Sequence, residues 1–153
     1  MQGSACALLS FFLAVLAGIS ITMFSERLLG DWDEYFLTEQ ALLSHGSPDV
    51  RYQDFDNLKS RLKSGYSDLL SPSVGENLRT GAKDVGSGFV RAENGRVYTI
   101  HYFGYSAITA ILDKLTGIPV GMAFLAVNAL FILILAGSAY LLFRSAEKSC
   151  LLE

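Results

Sequence analysis

Three carboxylates lie within four residues of one another early in the chain. Asp31, Asp33 and Glu34 begin the stretch from Gly30 to Gly46, a few positions after an apolar run that ends near Phe24. Carboxylates this close to a hydrocarbon boundary would stand beside the lipid head groups. There they could accept a proton or hold a metal ion next to a lipid-linked phosphate. These residues are therefore the first candidates for a chemical site.

The same residues have a second interpretation, as the start of a helix over residues 31–46. Asp31-x-x-Glu34 has the spacing of a capping box, in which side chains satisfy the free N–H groups of the first turn. Gly46, followed by Ser-Pro, is a helix stop. Local spacing alone favours the cap over the chemical site. The predicted apolar face holds Tyr35, Phe36, Leu42 and Leu43, and the polar face holds Thr38, Glu39 and Gln40.

Two uncharged apolar runs place the chain among membrane proteins. Residues 4–24 could span roughly 30 Å as a helix, which is the thickness of a hydrocarbon core. A cleaved signal peptide is the competing interpretation, but no Lys or Arg precedes this run. Residues 119–143 form the second run. The predicted class is a mainly α integral membrane protein with two transmembrane helices joined by a long extracytoplasmic loop.

Charge sets the expected topology and partners. Arg144 and Lys148 follow the second run and favour a cytoplasmic tail over residues 144–153. Residues 25–118 would then lie outside the plasma (inner) membrane. Asn128 and small residues in both runs predict contact with other transmembrane helices, or self-association. The net charge of −3 gives no indication of a nucleic-acid partner.

The external loop contains three further predicted elements. Asn94-Gly95 lies between two β-type segments, which predicts a hairpin over residues 88–101 with a type I′ turn and with Arg91 opposite Tyr98. A short helix is expected from Phe55 to Lys63, capped by Asp54. Residues 104–116 carry apolar side chains at helical spacing and predict an amphipathic helix that lies in the membrane interface.

The order of these segments resembles the start of the GT-C membrane glycosyltransferases. The resemblance rests on EYFLTEQALLSHGSPD after the first run, and on NGRVYTIHYFGYSAI, which is similar to a stretch of bacterial members. In that superfamily an acidic residue of the first external loop acts as a base or helps to bind a metal. The resemblance implies Asp31, Asp33 and Glu34 as catalytic candidates, and His101 and Tyr105 beside the head group of a polyprenyl-phosphate sugar donor. A divalent metal stays open as a cofactor, and the implied partners are membrane lipid and the lipid-linked sugar.

The chain departs from that family in length, because GT-C enzymes have many spans and this chain has two predicted ones. We therefore expect the N-terminal part of such an enzyme, active only when missing segments complete it. Asp31-Trp32-Asp33-Glu34 stands where many relatives have one tight Asp-Glu pair, so the sequence leaves open which carboxylate is the base. The alternative is a non-enzymatic two-span membrane protein whose external domain binds a partner.

Overall fold

The computed structural model describes residues 11, 12, 15, 16, 18, 31–62, 67 and 70–150, with side chains as far as residue 142. Over these residues the protein is mainly helical, with five helices and one small sheet. The helices are α1 (Trp32–His45), α2 (Tyr52–Arg61), α3 (Pro72–Thr80), α4 (Gly104–Thr116) and α5 (Val120–Cys150). The sheet pairs β1 (Phe89–Arg91) with β2 (Val97–Thr99). The described residues from 31 to 124 form one compact unit, and the remaining described residues belong to a second.

Helix α1 is the central element of the unit formed by residues 31–124. It packs against α2, α4 and β2, and it ends where Gly46 adopts the left-handed conformation, at φ 70°. The polar face predicted for this helix is not exposed: Thr38, Glu39 and Gln40 are all buried. Sequence periodicity places these side chains together, but neighbouring elements rather than water cover them.

A single apolar core holds this unit together. It takes residues from every helix except α4, and from both strands. The first turn of α5 belongs to it, because Val120 and Phe124 are buried there. The core consists of Phe36, Leu37, Val50, Phe55, Leu58, Leu70, Val74, Val85, Phe89, Val97, Val120 and Phe124.

The hairpin forms, but its predicted turn and register are wrong. Arg91 pairs with Val97 rather than with Tyr98. The Gly95 N–H bonds to the Ala92 carbonyl at 2.9 Å, and Gly95 has φ 80°, whereas no described non-glycine residue has a positive φ. A type I turn followed by a left-handed glycine therefore replaces the type I′ turn and lengthens the loop by one residue. The shift places Val97 in the core, where its carbonyl also accepts the Val50 N–H.

Helix α2 begins three residues before the predicted start at Phe55. Arg51 is its N-cap, and Asp54 lies in its first turn, where Oδ2 accepts the Arg51 N–H at 2.9 Å. Asp54 was predicted as the cap itself, and that prediction is wrong. The carboxylate instead acts from the third helical position, as the acidic residue of a capping box does.

Helix α4 covers the predicted residues 104–116 and buries its polar side. Ser106, Thr109 and Asp113 are buried, whereas Ile108, Ile111 and Leu115 are exposed, Leu115 by 78%. A helix on the surface of a water-soluble protein has the opposite arrangement. We refer to Ile108, Ile111 and Leu115 as the apolar face of α4.

Residues 120–142 of α5 are long and apolar enough to cross a membrane, and this is the one such helix in the described part of the chain. The helix itself continues to Cys150. Most of the first predicted span, 4–24, lies outside the described residues, although residues 11, 12, 15, 16 and 18 are helical. A Cβ atom on Gly18 would lie 3.0 Å from Ile132, so a small residue allows close packing at this point.

Gly95 gives a direct test of the hairpin loop. Apart from Gly95 itself and its two chain neighbours, no atom lies within 4 Å of the position that a Cβ atom on Gly95 would take. A side chain there therefore costs only the strain of the left-handed backbone conformation. We expect Gly95→Ala to lower the free energy of unfolding by about 1–2 kcal/mol, and Gly95→Asn to lower it by less, because Asn tolerates this conformation. Thermal unfolding in detergent micelles measures both. Equal melting temperatures for the wild type and the Ala variant would contradict the loop.

Candidate functional site

Asp31 stands at the N-cap position of α1, but its side chain makes no capping hydrogen bond. The Glu34 N–H is instead bound by Asp33 Oδ1, at 3.0 Å. The alternative interpretation of Asp31 and Glu34 as a capping box is therefore wrong, and Asp33 supplies the carboxylate that the first turn needs. This leaves Asp31 and Glu34 free for other partners.

Both of these carboxylates meet His101, which lies between β2 and α4. Asp31 Oδ2 is 2.9 Å from His101 Nε2, and Glu34 Oε2 is 3.3 Å from the same nitrogen. The Asp31 side chain is 53% exposed and that of Glu34 only 6%, so the group has one open side and one buried side. We call these three residues the carboxylate–histidine cluster. Their types also make it a possible metal ligand set, with one ligand atom from each residue and all three atoms within 4.8 Å of one another.

The buried side of the cluster is closed by backbone. Gly88, just before β1, has φ 81°, and a Cβ atom there would lie 1.5 Å from Glu34 Oε1. Two requirements therefore demand glycine at this position, the left-handed conformation and the space for the carboxylate. The start of the hairpin thus fixes where the Glu34 carboxylate can lie.

The imidazole of His101 is held by an aromatic group. Tyr35 stacks on it with ring centres 5.3 Å apart and an interplanar angle of 25°. Tyr105 meets the edge of Tyr35 at 5.4 Å and also packs on Phe124, in the first turn of α5. The family resemblance implied that both Tyr105 and His101 lie beside the head group of the donor substrate. In the structure Tyr105 supports the site through Tyr35, whereas His101 is in the cluster itself.

Burial changes the acidity of the carboxylates near the cluster. Desolvation raises the pKa of Asp33, and the nearby Asp31 charge adds to this effect. Desolvation also raises the pKa of Glu34, whereas His101 opposes the change because an adjacent imidazolium favours the charged carboxylate. The cluster therefore holds negative charges close together, which costs free energy. A positively charged ligand would reduce this cost.

A second acidic group lies deeper, between α1 and α4, and its residues were not among the predicted site residues. Glu39 is fully buried, and burial together with the adjacent Asp113 raises its pKa to about 8. Arg61 forms an ion pair with Asp113 and donates to Gln40 Oε1 at 2.7 Å. Since periodicity shows a polar stripe but not what covers it, no signal in the sequence reveals this group.

A cleft of about 250 Å³ lies between α2 and α3, away from the cluster. Its lining combines aromatic and apolar side chains with charges of both signs, and it contains none of the predicted site residues. The lining residues are Tyr52, Phe55, Asp56, Lys59, Ser67, Leu70, Pro72, Gly75, Glu76 and Arg79.

Comparisons of the chain with protein-family models, with curated proteins and with solved structures give no match. The function is therefore argued from the cluster and its surroundings.

The acidity of Glu39 predicts how stability depends on pH. Its pKa is about 8 in the folded protein, above its ordinary value of 4.5. Between these values the unfolded chain loses a proton that the folded chain keeps, so this group makes stability fall as pH rises from 4.5 to 8. We expect the melting temperature to fall less between pH 5.5 and pH 8 in Glu39→Gln than in the wild type. Asp56→Asn, at an exposed position of α2, is the control, and parallel curves for wild type and Glu39→Gln would contradict the prediction.

Proposed function

We propose that this chain is the N-terminal part of a GT-C-type membrane glycosyltransferase, which transfers a sugar from a polyprenyl-phosphate donor on the extracytoplasmic side. One observation carries the proposal: Asp31 and Glu34 turn away from the N–H groups of α1 and meet His101. A structural cap would keep its carboxylates on its own helix. Charged groups gathered from two distant segments, with one side open, are instead suited to binding and chemistry.

The proposed reaction needs a base that the acceptor can reach. The acceptor oxygen bonds to the sugar carbon, the bond to the donor phosphate breaks, and its electron pair leaves with the phosphate. The acceptor proton passes to a carboxylate. Asp31 suits this role best, because Glu34 is buried and Asp33 binds a helix N–H. We therefore assign the base to Asp31 and positioning roles to Glu34 and His101.

The surroundings of the cluster support a position at a membrane surface. Tyr35, which stacks on His101, contacts Phe124, and this residue lies in the first turn of the apolar stretch Val120–Leu142. The apolar face of α4 is exposed and would lie in the lipid interface. The proposal includes two spans, 4–24 and 119–143, an extracytoplasmic segment 25–118 and a plasma-membrane location.

The apolar face of α4 also favours a second candidate function. A non-enzymatic membrane protein could use the same exposed residues to bind a partner protein. In that case the cluster would be an internal ion pair, and its carboxylates would affect stability but not turnover. The two functions therefore make different predictions for the Asp31 variant.

Topology can be tested by cysteine labelling, after Cys6 and Cys150 have been replaced by Ser. We expect a single cysteine at Ser73 to react with a membrane-impermeant maleimide in intact cells, and one at Ser145 to react only after the cells are lysed. Ser73 is exposed in α3, so the reagent can reach it. The reverse pattern of labelling would contradict the proposed orientation.

Catalysis can be tested by neutralising one carboxylate at a time in the protein together with the segments that complete it. We expect Asp31→Asn to lower sugar transfer from a polyprenyl-phosphate donor by about 10²–10⁴-fold, because an amide cannot accept the proton. Its melting temperature should stay near that of the wild type, since Asp31 makes no capping bond.

Asp33→Asn is the matched control, because the Asn side chain keeps the oxygen that accepts the Glu34 N–H. This variant should retain transfer within a few-fold of the wild type. Near-normal transfer by Asp31→Asn, measured on a folded sample, would refute the assigned base. Loss of transfer in Asp33→Asn alone would move that role to Asp33.

A further inference from the structure

The hydrogen bonds of the carboxylate–histidine cluster do not satisfy all of its members. His101 Nε2 can carry one proton, and Asp31 Oδ2 at 2.9 Å is its nearer acceptor. Glu34 Oε2 lies 3.3 Å from the same nitrogen but accepts no hydrogen bond, although the residue is only 4% exposed. A buried carboxylate oxygen without a donor destabilises the folded protein, because no hydrogen bond offsets the loss of its hydration. The cluster therefore lacks one positively charged partner. That partner would lie next to Glu34 Oε2, the oxygen that accepts no hydrogen bond.

We propose that Asp31, Glu34 and His101 bind a divalent transition-metal ion, with Zn²⁺ as the preferred ion. An ion at this position replaces the proton on His101 Nε2 and bonds to all three groups at once. Its charge of about +2 balances the two carboxylates when the imidazole is neutral. The imidazole nitrogen selects against Mg²⁺ and Ca²⁺, which prefer all-oxygen ligand sets.

The distances between the ligand atoms are compatible with such an ion. Ligand atoms about 2.0–2.1 Å from a tetrahedral Zn²⁺ lie about 3.3 Å apart. The distance from Glu34 Oε2 to His101 Nε2 already has this value, and Asp31 Oδ2 lies 2.9 Å from the same nitrogen. All three ligand atoms lie within 4.8 Å of one another. The Asp31 side chain is 53% exposed, so it is the ligand with the most freedom to adjust to an ion.

The second shell is preformed on the buried side. The Tyr35 ring fixes the imidazole plane, and the Gly88 backbone limits where the Glu34 carboxylate can lie. Three protein ligands leave a fourth position, on the open side, for water or a phosphate oxygen. Each residue supplies one ligand atom to the metal, so the second carboxylate oxygen of Asp31 is not used as a ligand. The metal site does not depend on the proposed transferase function and is tested without an activity assay.

The test is equilibrium dialysis of ZnCl₂ and MnCl₂ against the full chain in detergent, after treatment with a chelator. Cys6 and Cys150 are replaced by Ser in all samples, which removes competing thiolates. We expect one Zn²⁺ per chain, held more tightly than Mn²⁺. His101→Gln and Glu34→Gln should each weaken binding by at least about 10-fold, as the loss of even a second-shell partner does elsewhere.

Three controls separate this site from chance binding. Asp33→Asn lies in the same acidic stretch, and His45→Gln removes the other histidine, which pairs with Asp54 at 3.1 Å. Both should bind Zn²⁺ as the wild type does. Gly88→Ala keeps all three ligands but displaces the Glu34 carboxylate, so it should weaken binding as well.

X-ray absorption of the Zn²⁺-loaded chain with its native cysteines gives an independent reading. We expect nitrogen and oxygen neighbours near 2.0–2.1 Å and no sulfur near 2.3 Å. A sulfur shell, no saturable binding, or binding by His101→Gln equal to that of the wild type would each overturn the proposal. Since the spectrum is recorded on the native chain, it decides the question even if a variant fails to fold.

Discussion

Helix α1 is buried on several sides, and its polar side chains therefore need partners inside the protein. An unpartnered buried polar group costs about 1–3 kcal/mol, a large fraction of the stability of a small domain. Thr38 shares a hydrogen bond with Thr99 of β2, at 3.2 Å, and Gln40 accepts one from Arg61 of α2. Glu39 faces Asp113 of α4, where its raised pKa favours the protonated form. These contacts determine which sides of β2, α2 and α4 can pack against α1.

The carboxylate–histidine cluster follows from the same constraint. Glu34 belongs to the buried part of α1, and His101 is positioned from both sides. Before it, Thr99 is bonded to Thr38, and after it, Ser106 donates to the Tyr35 carbonyl at 3.0 Å. His101 thus lies in a short connection between two fixed points rather than in a free loop. A site supported in this way keeps its geometry without a bound ligand, as preorganised sites require.

The sequence was sufficient for some of this arrangement and insufficient for the rest. The ends of α1 and α4 could be predicted because Gly46 and Gly117 supply the left-handed residues that stop a helix. Asp31 and His101 could be named as candidates, but their contact depends on the packing of β2 and α4 against α1. The hairpin register could not be predicted, because Asn-Gly also suits a longer loop in which Gly95 alone is left-handed. In the structure that loop places Val97 in the core.

Helix α4 adds the last constraint, because packing its polar side against α1 leaves its apolar face outward. Asp113 lies next to Glu39 of α1 and pairs with Arg61 of α2, and the spacing of the helix then directs Ile108, Ile111 and Leu115 away from the core. Each of these side chains would gain about 1.5–3 kcal/mol from full burial. These side chains nevertheless stay exposed on one helix, shortly before the apolar stretch Val120–Leu142, and this exposure is why we propose a lipid interface as their environment. The polar contacts that hold α4 against α1 and α2 therefore also decide that its apolar face is the exposed one, and the proposed membrane location depends on that face.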